Sequence, residues 1–350
     1  MQATARHALV AAAVFVGVVA LALALWQLRV LIALLFLAFI VAAAMRPSVE
    51  SLRNRYRIPR GAGILLHYAA LATLLGLLLW LVVPRAIDQI QRATSSDRLE
   101  SQARETSGVK HDLLVGLQNR LEDLPSGAQL VDPALELTLT AFEVAIGCFF
   151  VLAAAAYWIF ERDRAVDLVA SLIPRPRRRV VRDTWTLIDL KLGAYVRGQA
   201  LLIVLVATAL STIFWAIGLP FWLLIGIFAG VVEIVPVVGP LAAGALAVGV
   251  GLTESVTVAI AAGAAVLVVR LLEDYLVIPR VLGEAVGLSP LLVLTSVTGV
   301  ALLFGSFAVL LAIPIAAVLA TLVDVIVLDK DPAQEEVPTV IFAAKDAETG

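Results

Sequence analysis

Cysteine is almost absent from this chain, and histidine is scarce. The single thiol, Cys148, has no partner for an internal disulfide and is expected as a small buried hydrophobe inside an apolar span. Three scattered histidines, His7, His67 and His111, form no cluster in the sequence. No zinc-ligand spacing, phosphate-binding Walker loop, dinucleotide glycine fingerprint or Gly-x-Ser-x-Gly elbow is present. Charged residues make up only 15% of the chain and sum to −2, so no whole-protein field draws in nucleic acid. The sequence therefore predicts no enzyme, no cofactor, no metal and no nucleic-acid partner. What fills the chain is apolar: 61% of residues are hydrophobic, against about 45–50% in soluble domains. Mean hydropathy is +0.99. Spans of this composition must satisfy their own backbone hydrogen bonds, so an all-α polytopic membrane protein is expected.

The apolar runs predict about six full spans plus two re-entrant helical hairpins. Runs 8–26 and 30–45 are separated by an expected tight turn at Arg29. Arg46, Arg53, Arg55, Arg57 and Arg60 then crowd a loop holding one acid, Glu50, which makes that loop cytoplasmic by the positive-inside rule. With the span 61–83, residues 1–83 form an N-terminal three-span unit. Residues 84–136 form an extracytoplasmic insert, amphipathic at Leu113, Leu117, Leu121 and Leu124 and ended by Pro125-Ser126-Gly127. Residues 137–192 hold a fourth span, with Glu143, and a basic cytoplasmic segment carrying Arg175, Arg177, Arg178, Arg179 and Arg182, a stretch able to meet anionic lipid headgroups. Residues 193–328 form a transport core, and 329–350 an acidic cytoplasmic tail.

Within the core, Glu233 sits in an apolar run just before Pro236, Gly239 and Pro240. A carboxylate at membrane depth costs roughly 2.5–3.5 kcal/mol, and broken backbone there needs shelter in protein or a water-filled cavity. Arg270, at the end of the run 255–272, is a candidate partner for Glu233, because unpaired intramembrane charges are disfavoured. Glu273, Asp274 and Arg280 are expected at the cytoplasmic rim, and Arg197 and Gln199 are further candidates to reach the site. Gly218-Leu219-Pro220 and Gly287-Leu288-Ser289-Pro290 open two similar segments, 218–252 and 288–328, each after a full span. Two hairpins entering from opposite sides would make an inverted repeat, which places substrate and ion sites near the midplane.

Arg197-Gly198-Gln199, the run from Gly218 to Pro240, the stretch from Leu272 to Gly283, Gly287-Leu288-Ser289-Pro290 and Ile313-Pro314 together resemble the autoinducer-2 exporter (AI-2E) family. The resemblance implies a multi-pass bacterial inner-membrane transporter with both termini cytoplasmic. Some members are linked to export of the small polar signal autoinducer-2, and others are described as sodium or lithium/proton antiporters. The positions of Glu233 and Arg270 are often amides in that pattern, so the charged pair here leaves the cargo open. Three readings follow. The first is a secondary transporter exporting a small polar solute, with Glu233, Pro236, Gly239, Pro240, Arg270, Glu273, Asp274, Arg197 and Gln199 binding or gating. The second is a monovalent cation/proton antiporter working through Glu233. The third is a scaffold or lipid-handling protein using its basic segment. Membrane lipids and a second copy of the chain are the other expected partners.

Overall fold

A computed structural model describes residues 2–94, 131–235, 238–278, 290–335 and 337. The amphipathic insert motif at 113–127, Pro236, the linker from Pro279 to Ser289 with Arg280, and the end of the tail lie outside these residues. In chain order the helices are α1 (Gln2–Gln27), α2 (Arg29–Tyr56), α3 (Arg60–Thr94), α4 (Val131–Ser171), α5 (Arg178–Ala216), α6 (Trp222–Val232), α7 (Val238–Glu254), α8 (Val256–Leu272), α9 (Pro290–Phe304) and α10 (Ala312–Ile326). Among the described residues there is no strand. Among the described residues six stretches are long and apolar enough to cross a bilayer: Arg29–Tyr56, Arg60–Arg85, Thr138–Ser171, Arg175–Ala216, Val256–Val277 and Ala308–Ile326. The chain is an all-α polytopic membrane protein.

Two expectations about the N-terminal half change. The tight turn at Arg29 is a bend. Leu28 N–H still donates to the Ala24 carbonyl at 3.0 Å, and Ile32 N–H to the Leu28 carbonyl at 2.9 Å. The segment Trp26-Gln27-Leu28-Arg29 contains neither glycine nor proline, so nothing breaks the helical ladder. Cys148 is exposed on α4 instead of buried. A small hydrophobe on a lipid-facing helix surface carries no penalty, so composition alone does not fix which way it points.

The packing resolves into two regions joined by α5. In one, Ala38, Ala42 and Val49 of α2 meet Ile64 of α3 and Val151, Ala155 and Ile159 of α4. In the other, Val206, Leu210 and Phe214 of α5 pack with Ile225 and Ala229 of α6, Ala243 and Ala247 of α7, and Ala262 and Ala265 of α8. A third cluster ties α5 back to the first region, with Leu192 against Ala33, Ile40 and Ala43 of α2 and Leu311 just before α10. Alanine supplies much of these contacts because lipid tails offer no hydrophobic contrast, and close backbone approach is what holds membrane helices together. At 41 and 39 residues, α4 and α5 each run about 60 Å, twice the roughly 30 Å hydrocarbon thickness. Their facing ends carry the basic segment as a helical hairpin, closed by a 3-10 turn at Arg175–Arg177.

The α7–α8 corner is fixed by a capping serine. Ser255 is extended and its side chain accepts a hydrogen bond from Val258 N–H at 3.1 Å. Ser255→Ala is expected to lower stability by about 1 kcal/mol, the usual worth of an N-cap, read as a lower thermal midpoint in detergent.

Candidate functional site

The site is built where α6 stops. Gly218, with φ +73°, turns the chain out of α5 in a conformation that side chains rarely adopt. α6 then lies directly on α5: Gly226 faces the backbone of Ser211, and Gly230 faces the carbonyl of Ile203. Glu233 is the residue that ends α6. Val235 N–H donates to the Val232 carbonyl and Gly239 N–H to the Val235 carbonyl, each at 2.9 Å, so the chain reverses within a few residues. Gly239 tucks under the Val232 carbonyl, where a Cβ would collide. Pro240 sits in the first turn of α7, where a missing N–H breaks no helical bond.

Arg270 reaches this tip from the last turn of α8. Its Nη1 donates to Glu233 Oε1 and lies 3.4 Å from Glu273 Oε2. Its Nη2 is 2.9 Å from Asp274 Oδ1. Glu273 opens a π-helical turn, Glu273–Val277. Such turns mark local departures from regular α geometry and recur at functional positions. Side-chain exposure is 7% for Glu233, 4% for Glu273, 29% for Arg270 and 40% for Asp274. Glu273, expected at a solvated rim, is therefore buried beside Glu233, while Asp274 keeps its water. One guanidinium faces three carboxylates. The cavity at Glu233, Arg270 and Glu273, lined also by Pro240, Val206, Leu210 and Val266, is only about 10 Å³, room for about one water. As described, the site is shut.

The other candidates fall elsewhere. Arg197 lies against α2, where its Nη1 donates to the Ala44 carbonyl at 3.2 Å. Pro47 stands inside α2 and has no N–H for the carbonyl of the preceding turn, so this stretch of backbone needs outside donors. Arg197 is thus tied to α2 near Pro47 through the Ala44 carbonyl. Gln199 is half-buried on α5. Glu143 is exposed on α4.

Sequence reading missed a second buried ion group. Arg162 Nε donates to Asp189 Oδ2 at 2.6 Å, Arg46 Nη1 approaches the same oxygen at 3.4 Å, and Arg162 Nη2 donates to Thr186 Oγ1 at 3.0 Å. These arginines look like ordinary topology determinants. The hint was Asp189 between Ile188 and Leu190. The group shows that the two arginine-rich segments meet at one end of the bundle. Lys191 brings the C-terminal segment to the same end, through Glu335 at 2.6 Å and Thr321 at 3.2 Å.

Comparison with known proteins agrees with this architecture. YrrI of Bacillus subtilis (strain 168), provisionally named a transport protein, is 24% identical over 305 residues, covering 81% of this chain and 83% of YrrI. MT0215 of Mycobacterium tuberculosis (strain CDC 1551 / Oshkosh), with the same kind of provisional name, is 24% identical over 319 residues, covering 87% and 85%. YueF of Bacillus subtilis (strain 168), likewise named, is 28% identical over 213 residues, covering 61% and 56%. The family model described as AI-2E family transporter matches residues 15–328. With the family's model covering residues 15–328, and so all six candidate membrane spans, this chain belongs to the AI-2E transporter family.

Proposed function

We propose that this protein is a bacterial inner-membrane secondary transporter that exports a small polar solute, such as an autoinducer-2-like signal or a related metabolite, by alternating access. The observation that carries the reading is the closure of the α6–α7 tip by Arg270. A cavity of about 10 Å³ admits no solute, so passage requires Arg270 to part from Glu233. Glu233, Arg270, Glu273 and Asp274 are then the gate, and Gly239 and Pro240, with Pro236, shape its edge. Arg197 and Gln199 support the frame.

The lengths of the core helices favour re-entrant segments. α6 has 11 residues and spans about 16 Å, well short of the roughly 30 Å core. α5 followed by α6 and α7, and α8 followed by α9 and α10, repeat one order, with breaks at Glu233–Val235 and at Gly305. That order supports an inverted repeat, although the stretch Ala308–Ile326 is itself long enough to cross. The end of the bundle that gathers Arg46, Arg162 and Lys191 is taken as cytoplasmic, with the termini on that side. The apolar surface of α1, barely covered by its own chain, suits a homo-oligomer or surrounding lipid.

A second reading is favoured by the charge count. Three carboxylates around one guanidinium leave excess negative charge, and buried charge without a partner is costly. A proton or monovalent cation would offset it, as a sodium(lithium)/proton antiporter requires.

Purified protein in proteoliposomes separates the two. Counterflow of a polar metabolite without a sodium or lithium requirement, lost in Arg270→Gln, is the expected result for the solute exporter. Proton-coupled sodium or lithium flux, abolished by Glu233→Gln, would establish the antiporter. If cellular function survives both substitutions but not charge reversal of Arg177–Arg179, neither transport reading stands and a scaffold role replaces them.

A further inference from the structure

A second, much larger cleft, of about 1000 Å³, opens between α2, α4, α5 and α10. It shares no residue with the Arg270 cavity. Its wall is apolar and aromatic: Trp158 and Trp185 stack with ring centres 5.9 Å apart, and Phe39 stands edge-on to each, at 5.3 and 6.3 Å. Two polar features interrupt that wall. The hydroxyl of Thr184 is satisfied by the Val180 carbonyl at 2.7 Å. The indole Nε1–H of Trp185 is buried and has no acceptor among the described residues, a state that costs free energy unless something in the cleft supplies one.

Two unengaged charges belong to the same cleft. Arg178 is committed to the carbonyls of Ile173 and Ser171, Arg179 to Asp183, and Arg182 to Asp167. The side chain of Arg177, exposed and lining the cleft, makes neither ion pair nor hydrogen bond among the described residues. Opposite it in sequence terms stands Asp329, just after α10, also lining the cleft and exposed, and also without such a partner among the described residues. Its neighbour Lys330 is already paired with Asp324.

We propose that this cleft binds one diacyl phospholipid with a phosphoethanolamine headgroup. The acyl chains lie along the Phe39–Trp158–Trp185 wall, between helices that the lipid already surrounds. The phosphate pairs with Arg177 and the ammonium with Asp329, and an ester carbonyl accepts from Trp185 Nε1–H. The charge pattern selects this class. A headgroup with only negative charge would gain Arg177 but meet Asp329 as a repulsion, and a water-soluble polar solute would leave the aromatic wall unmatched.

The test uses contact quenching of tryptophan by brominated acyl chains. The full chain, with Trp26, Trp80, Trp215 and Trp222 changed to Phe so that only Trp158 and Trp185 emit, is delipidated. It is then reconstituted in unbrominated phosphatidylglycerol vesicles. A minor fraction of brominated phosphatidylethanolamine or, separately, brominated phosphatidylglycerol is included. Phosphatidylethanolamine is expected to quench in clear excess. Asp329→Asn is expected to cut that excess about fivefold, which is roughly 1 kcal/mol for the headgroup ammonium, whereas Arg177→Ala, which removes a phosphate contact that both lipids share, leaves their ratio unchanged. Both positions are exposed, so neither change threatens the fold. Equal quenching by the two lipids overturns the proposal, as does an excess that Asp329→Asn leaves unaltered. Protection from both lipids, as when a second copy of the chain fills the cleft, overturns it as well.

Discussion

Arg270→Ala is expected to abolish transport and to be the most damaging single change in the site, worse than loss of Glu233. Removing the guanidinium leaves Glu233 and Glu273 buried with no cation, and Asp274 adds a third negative charge at the edge. Breaking a buried pair in this way costs about 3–5 kcal/mol, mostly from the stranded charge and not from the lost attraction. Glu233→Ala is milder, at about 1–2 kcal/mol, because Arg270 keeps Glu273 and Asp274. Arg270→Lys falls between, since an ammonium is a point charge and cannot serve three acceptors from two nitrogens as the guanidinium fork does. The double variant Glu233→Ala/Arg270→Ala should lose less than the sum of the singles, because one stranded carboxylate has gone. Thermal midpoints in detergent and initial flux in proteoliposomes read the series. If Glu233→Ala proves as harmful as Arg270→Ala, or if the two losses add, the three-to-one cluster is not what holds the tip.

The second large effect lies in the seam between α5 and α6. Gly226→Leu is expected to yield no folded, monodisperse protein. A Cβ at 226 already falls 2.6 Å from the Ser211 nitrogen and 2.7 Å from its Cα. Those are backbone atoms in a helix and cannot step aside. At Gly230 the obstacles are the Ile203 carbonyl oxygen at 2.6 Å and the Ala207 Cβ at 2.7 Å. Forcing one methylene into a tight core costs about 1–3 kcal/mol, and leucine adds several to a seam whose strength is its closeness. Gly299→Ala is the matched control. Its Cβ would meet nothing within 4 Å, and alanine gains up to about 1 kcal/mol of helix propensity over glycine. Size-exclusion profiles of the three proteins expressed side by side decide the matter. A normal peak for Gly226→Leu would mean that α6 can lift away from α5.

Hydropathy and arginine bias made the membrane class legible. The Glu233–Arg270 pair could be anticipated because an apolar run makes each charge conspicuous and each needs a partner. The rest of the cluster was not legible. Glu273 and Asp274 follow an apolar helix directly, where a carboxylate ordinarily meets water, and only the π-helical turn at Glu273–Val277 with Arg270 beside it places Glu273 inside. Arg162 and Asp189 are 27 residues apart, and Arg46 and Asp189 are 143 apart. Each lies in a stretch whose charges already had an explanation as topology signals, so nothing local announced their meeting. The bend at Leu28 shows the opposite failure: a charged residue between two apolar runs suggested a reversal, yet the backbone reverses only where glycine, proline or a turn-former permits it.

The double membership of α5 has a mechanical meaning. Leu192 belongs to the packing with α2, and Val206 to the packing with α6, α7 and α8. Between them lie Gly193, pressed against the Ala43 carbonyl, and the buried Gly198. If the proposed alternating access rotates α6, α7 and α8 against the α2–α4 frame, α5 is the covalent axle on this side of Glu233. That rotation must be taken up as torsion or bending in the thirteen residues from Gly193 to Leu205. On that proposal the stiffness of the short shaft limits how far the two halves can swing.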